Sequence, residues 1–349
     1  MTTMRAYRLT SWLSPAELVV VPVPEPGMGQ VRVRVAGCGL CHSDFSMGQM
    51  PADMAAALGW AAPFTLGHET AGWVDAVGRG VVGWVEGDPV ALASPASCGV
   101  CRWCRRGLEN ACPDGLVGRG YGRDGGLADY VLVDHPERVL FPLGTLDPAV
   151  AGPLTDAGAT SHHAVRRVLP RVADDGFVVV FGIGGLGSFV VQLLRALTGA
   201  QIVAVDPSPV RRALAADLGA HHVVDGVDES TRDVVRDLVA GAAVDAVIDL
   251  VGNDVTIGLG ASLVSPGGAL ALVGAGGGTL RRQWFAGLPR DGEVFTFQGS
   301  DLADARSVIE LAGQGRLRVD IDPFSLDDVA AAYGALHDGT LLGRAVVQP

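Results

Sequence analysis

At 349 residues the chain is too long for one ordinary core, so two domains are expected. Hydrophobic residues make up 48% and charged residues 18%, the balance of a well-buried globular protein, and a net charge of −12 without a basic, aromatic-rich cluster argues against nucleic-acid binding. No apolar run approaches the roughly 18–20 residues that span a bilayer, and the opening MTTMRAYRLTSWLSP is too poor in apolar residues for a signal-peptide core, so no membrane contact and a cytoplasmic location are expected.

In chain order, the first half reads as β-rich. RVRVAG at 32–37 alternates, and short strands follow at ETAGWVDAVG and DPVALA, each broken by Gly or Pro. From about 157 the texture changes. FVVVFG at 177–182 is an apolar strand ended by glycines, SFVVQLLRAL has helical spacing, and QIVAVD at 201–206 is a second strand. RRALAADLGA then reads as a helix stopped at Gly219, with further strands at AVDAVIDLVG and ALALVGAG. Strands alternating with helices imply a parallel sheet covered on both faces. The tail returns to helix at ADARSVIELAGQG and closes on a short strand, RAVVQP. The expected plan is α/β: a β-rich domain over 1–156, an α/β domain over 157–300, and a segment 301–349 that packs back on the first domain.

The α/β part carries a nucleotide signature. Gly182, Gly184, Gly185 and Gly187, with Leu186 between the last two, spell G-x-G-x-x-G after a strand and at the start of a helix, and Asp206 ends the next strand about 20 residues further on. Gly182 would allow the tight turn, Gly184 close approach of a pyrophosphate, and Gly187 packing of helix on strand, with the diphosphate at the helix N-terminus. Asp206 would bind ribose hydroxyls and repel a 2′-phosphate, favouring NAD over NADP, although Arg211 and Arg212 nearby also suit a phosphate. All the basic residues are arginine, so a Schiff-base or phosphate-loop lysine is excluded.

Two constellations suit metal. Cys98, Cys101, Cys104 and Cys112 have the spacing C-x2-C-x2-C-x7-C, which can close a tetrahedral thiolate cage around a structural zinc. Disulfides and an iron–sulfur cluster are the alternatives. In the second, Cys38 and Cys41 form a C-x-x-C pair and His68-Glu69 follows; Cys41 and His68 suit an open, catalytic zinc, while a redox cysteine pair and a core histidine are the alternatives.

VRVRVAGCGLCHSD, GHETAGWVDAVGRGV, VEGDPV, the four-cysteine loop and GIGGLG with Asp206, in this order over nearly the whole chain, resemble the zinc-dependent medium-chain alcohol dehydrogenases. The resemblance implies a GroES-like catalytic domain, a Rossmann doubly wound cofactor domain, and a reaction site in the cleft between them. It implies that Cys41 and His68 bind the catalytic zinc and that Cys38 does not. The third ligand of the family aligns with Asp156, in PLTDAG, a sequence similar to that of some bacterial secondary-alcohol dehydrogenases; Glu69 is its rival. Asp44 resembles a carboxylate that fixes the His68 ring. Ser43 resembles the first hydroxyl of a proton relay, which many relatives end at a histidine where this chain has Ser46.

For the cofactor the resemblance implies His42 and Arg344 at the pyrophosphate, Thr160 beside the nicotinamide, and Val251, Val273, Gly274 and Ala275 at the strand ends beneath it; helical position five residues past Asp206 puts Arg211 near the adenosine edge. An apolar pocket for a secondary alcohol or ketone is expected around Ser46, Trp60, Trp284 and Phe295. Polyol dehydrogenases, zinc-free quinone or enone reductases and a non-enzymatic NAD-binding scaffold are the other classes that share the plan. Similar proteins form homodimers or homotetramers, pairing the last cofactor-domain strand near FTFQGS.

Overall fold

The computed structural model describes residues 2–93, 97–228 and 230–349. The chain divides into two compact units, Met1–Ala159 with Ser300–Pro349, and Thr160–Gly299.

In the first unit the alternating segment forms the strand Gln30–Gly39, paired antiparallel with Glu69–Val77. A sheet grows outward from this pair in the order Leu140–Pro142, Pro89–Leu92, Glu69–Val77, Gln30–Gly39, Arg344–Gln348, Ile321–Ser325, with Tyr130–Asp134 also on Gln30–Gly39. The C-terminal strand is thus a structural member of this sheet, and its residues Arg344, Ala345, Val346 and Val347 are all buried. A smaller sheet holds Glu17–Pro22, Thr3–Leu9 and Phe64–Thr65. Alternate residues of the central strand, Val31, Val33 and Val35, are buried, as the pleat requires.

The second unit is a six-stranded, wholly parallel sheet in the order His222–Asp225, Gln201–Asp206, Phe177–Phe181, Val244–Asp249, Ala269–Leu272, Glu293–Thr296. This is the doubly wound order whose direction of growth reverses beside the first strand, the place where such sheets bind dinucleotides. Val179, Phe181, Val203, Val205, Val247 and Leu270 fill its core with helix residues such as Val235 and Leu263. The helix Pro209–Asp217 ends at a left-handed glycine, Gly219, at φ +106°. The Glu293–Thr296 strand has one strand neighbour and leaves its other edge open among the described residues. Among those residues no helix is long and apolar enough to cross a membrane.

Candidate metal and nucleotide sites

The Cys98–Cys112 segment folds on itself so that four thiols converge. Their sulfurs lie 3.9 Å (Cys98–Cys104), 3.6 Å (Cys101–Cys104), 3.9 Å (Cys101–Cys112) and 3.6 Å (Cys98–Cys112) apart. A tetrahedral zinc with Zn–S bonds of about 2.3 Å needs sulfur–sulfur edges of about 3.8 Å, so the cage has the size of the ion. The separations are far too long for disulfides, and all six cysteines are free thiols. Backbone N–H groups of Cys98, Cys101 and Cys104 donate to sulfurs of the set, and the N–H of Cys104 helps bring the Cys101 thiol down to about 7.

The second cluster is assembled from distant segments. Gly39 and Glu69 face each other across the central strand pair, and a Cβ at Gly39 would collide with the Glu69 side chain, so this strand position favours glycine. The chain then enters the short helix His42–Gly48 through Cys41, whose N–H donates to Asp44 Oδ2 at 3.1 Å. Asp156 lies between the 3-10 turn Gly152–Thr155 and the helix Ala157–Val168. Ligand atoms of Cys41, His68, Glu69 and Asp156 all fall within 4.8 Å of one another.

The imidazole of His68 is oriented from both ends. Its Nδ1 lies 3.2 Å from Asp44 Oδ1 and its Nε2 lies 3.5 Å from Asp156 Oδ2. Asp44 is itself held by the Tyr333 hydroxyl, which donates to Oδ2 at 3.0 Å. Burial opposes charge on His68, yet Tyr121 and the acids Asp44 and Asp156 leave its pKa well above the ordinary value. Burial pushes Asp156 up, but His68 and Arg344 outweigh it and hold the carboxyl below its usual range. One thiol, one imidazole and two carboxylates form a donor set that suits a zinc ion.

Glu69 differs from Asp156 in its partners. Arg344 donates to it through Nε at 3.0 Å and through Nη2, a forked pair with both residues buried. Burial pushes Glu69 up to about 7 against the pull of Arg344. Arg344, which the resemblance places at the pyrophosphate, is thus engaged with Glu69. Cys38 stands outside the cluster: it is fully buried, its sulfur is 3.6 Å from Thr70 Oγ1, and burial pushes its thiol up to about 12.

Sequence reasoning missed Tyr121. Its hydroxyl lies 3.0 Å from Ser43 Oγ and 3.3 Å from His68 Nε2, and its ring sits 4.7 Å from His68 and 5.7 Å from Trp60. A lone tyrosine between glycines in GRGYGRDGG carries no spacing signal; only the fold brings it to position 43. Tyr333 was missed for the same reason. Ser46 and His42 are exposed on the Cys41-capped helix. Phe45 of that helix turns to Tyr333 and His337.

In the second unit, Gly182 has φ +86°, and the carbonyl of Gly182 lies where a Cβ on Gly187 would be, so neither place admits a larger residue. Gly185 and Leu186 complete the turn into the helix Gly187–Leu197, and the buried Ser161 donates to the Leu186 carbonyl at 3.0 Å. Thr160 is buried one residue earlier. The loops after the strands Val244–Asp249 and Ala269–Leu272 meet: Val273 and Gly274 donate to the Asp249 carbonyl, and Gly276 to that of Val251, leaving Ala275 in the same turn. Asp206 accepts from the N–H groups of Ile183 and Ser208, both at 2.8 Å, which aims its carboxylate at the glycine turn. Arg212 is tied to Asp225 at 2.6 Å, whereas Arg211 extends toward Gly184. Trp284 is 79% exposed. Phe295 lies on the edge strand, against Phe297 and beneath the Arg167 guanidinium.

Two thiol-rich or mixed donor sets in the β-rich unit and a dinucleotide-type sheet in the other are the marks of a metal-dependent nicotinamide dehydrogenase. Residues 27–144 match the alcohol dehydrogenase GroES-like domain family, and residues 185–313 match the zinc-binding dehydrogenase family. The chain is 32% identical to the D-arabinose 1-dehydrogenase (NADP(+)) of Saccharolobus solfataricus, over 100% of this chain and 99% of that one. It is 33% identical to an NAD-dependent alcohol dehydrogenase of Sulfurisphaera tokodaii, over 99% and 100%. The crystal structure of the alcohol dehydrogenase of Aeropyrum pernix superposes with a TM-score of 0.89 at 32% identity, covering 99% of this chain and 100% of that one. The chain belongs to the zinc-dependent medium-chain alcohol dehydrogenase family. It is an oxidoreductase of the zinc-binding dehydrogenase type.

Proposed function

We propose that the protein interconverts an apolar secondary alcohol and its ketone. The observation that carries this reading is the convergence of Cys41, His68 and Asp156 beside the Ser43 hydroxyl, with the Tyr121 and Trp60 rings as the neighbouring wall. Cys41, His68 and Asp156 would hold the catalytic zinc, and Cys98, Cys101, Cys104 and Cys112 the structural one. Glu69 is left as the partner of Arg344. Bound there, zinc supplies Lewis acidity toward the substrate oxygen and NAD supplies the hydride acceptor.

The chain's own groups do the rest. Asp44, anchored by Tyr333, fixes the tautomer and tilt of His68. Ser43 gives or takes the proton of the substrate oxygen. The aromatic wall excludes water and favours an apolar substituent. The Gly182–Gly187 turn receives the diphosphate, with Arg211 extending toward it. Asp206 selects NAD, since its charge opposes a 2′-phosphate and Arg212 is committed to Asp225.

A sugar or polyol substrate is the second reading, favoured by the name of the arabinose-oxidising relative. One panel tests both: aryl–alkyl ketones, short polyols and pentoses, each with NAD(H) and NADP(H), on the wild type and on Asp156→Ala. Fastest turnover of aryl–alkyl ketones with NADH, lost in Asp156→Ala, is expected. Faster turnover of polyols or pentoses contradicts the apolar pocket. We also assign the protein to the cytoplasm, where six free thiols persist, and to a homodimer or homotetramer joined through the open Glu293–Thr296 edge.

A further inference from the structure

Tyr121 occupies a place that no spacing in the sequence announced. Its ring is lodged between the His68 and Trp60 rings, and Trp60 is itself fixed by its indole N–H, which donates to the Leu116 carbonyl at 2.7 Å. The phenol oxygen therefore has a set position, 3.0 Å from Ser43 Oγ and 3.3 Å from His68 Nε2. The two partners are not equivalent. Nδ1 of His68 faces Asp44, so Nε2 is the nitrogen left for a metal, and a metal there removes it as an acceptor. The Ser43 hydroxyl is the partner that persists.

A phenol is more acidic than an aliphatic alcohol, so in this pair Tyr121 donates and Ser43 accepts. A serine hydroxyl otherwise rotates among three staggered positions. With one lone pair occupied by Tyr121, the proton of Ser43 is directed away from the phenol. We infer that Tyr121 is a positioning residue, whose hydroxyl fixes the direction of the Ser43 hydroxyl and so sets the geometry of proton transfer to the substrate oxygen. In ketone reduction Ser43 gives its proton to that oxygen and regains one from solvent; Tyr121 keeps its own. The inference rests on the dehydrogenase reading of the site.

The test is a double-mutant cycle on the zinc-loaded enzyme with Tyr121→Phe, Ser43→Ala and the double variant, together with crystal structures of zinc-loaded wild type and Tyr121→Phe. Phenylalanine keeps the ring between His68 and Trp60, and an unchanged melting temperature checks the fold. Tyr121→Phe is expected to lower kcat about ten-fold with KM nearly constant, since orientation and not binding is lost. Ser43→Ala should lower it about a hundred-fold, and the double variant no further. The wild-type crystals should keep Tyr121 Oη on Ser43 Oγ with zinc present.

An unchanged kcat in Tyr121→Phe overturns the inference, as does an equal loss in the Ser43→Ala background. So does a phenol that sits on the zinc or leaves Ser43. If the wild type turns over no alcohol or ketone with either nucleotide, the dehydrogenase reading has failed. The crystal contact then still decides whether Tyr121 holds Ser43.

Discussion

The two candidate metal sites of the first unit are built by opposite strategies. The cysteine cage comes from one short local segment, is chemically uniform, and brings its sulfurs together with edges of 3.6–3.9 Å. The second site collects Cys41, His68 and Asp156 from separate parts of the chain and depends on Asp44, Tyr333, Glu69 and Arg344 to hold them. A closed thiolate cage leaves no place for substrate and acts on stability; a mixed, incomplete set leaves a place and acts on chemistry. The comparison predicts that damage to each site will appear in a different measurement.

The largest effect expected is on turnover. Cys41→Ala or His68→Ala should lower kcat/KM by about a thousand-fold or more, because Lewis-acid stabilisation worth several kcal/mol is lost, while the melting temperature stays within a few degrees. A large melting shift instead would mean that the second site is also structural. Next comes the cage. Cys104→Ser should release about one zinc ion per chain and lower the melting temperature by roughly 5–10 °C, read by metal analysis and calorimetry, with kcat little changed in the folded fraction. A folded variant without activity would erase the distinction between the sites.

A smaller effect is expected behind His68. Tyr333→Phe removes one hydrogen bond from Asp44 and should weaken zinc binding at the open site about ten-fold in chelator competition, leaving the cage ion in place. The smallest effect is at Cys38. Burial holds this thiol near 12, far above the range where it would ionise, so its alkylation by iodoacetamide should stay negligible from pH 6 to about 9. Cys38→Ala should keep both zinc ions and turnover within about two-fold; a lost zinc would make Cys38 a ligand.

The contrast also explains what the sequence disclosed. The cage was legible because its spacing is the site. The Gly182–Gly187 turn and Asp206 were legible because a strand, a turn and a helix N-terminus are contiguous. The parallel sheet followed from apolar strands alternating with helices, whereas its strand order is set by tertiary pairing. Tyr121 and Tyr333 were not legible, since each reaches its partner only through tertiary packing. Arg344 shows a third case: an arginine assigned to a phosphate by resemblance is paired in the structure with Glu69, because a buried carboxylate needs a charge beside it.

The central claim is that Asp156, with Cys41 and His68, completes an open zinc site distinct from the cage. Anomalous diffraction at the zinc edge from zinc-loaded crystals tests it most directly. The account predicts two peaks per chain, one inside the four cysteine sulfurs and one bound by Cys41 Sγ, His68 Nε2 and an Asp156 oxygen. A single peak in the cage, or a second one held by Cys38 or Glu69 with Asp156 turned away, would contradict it.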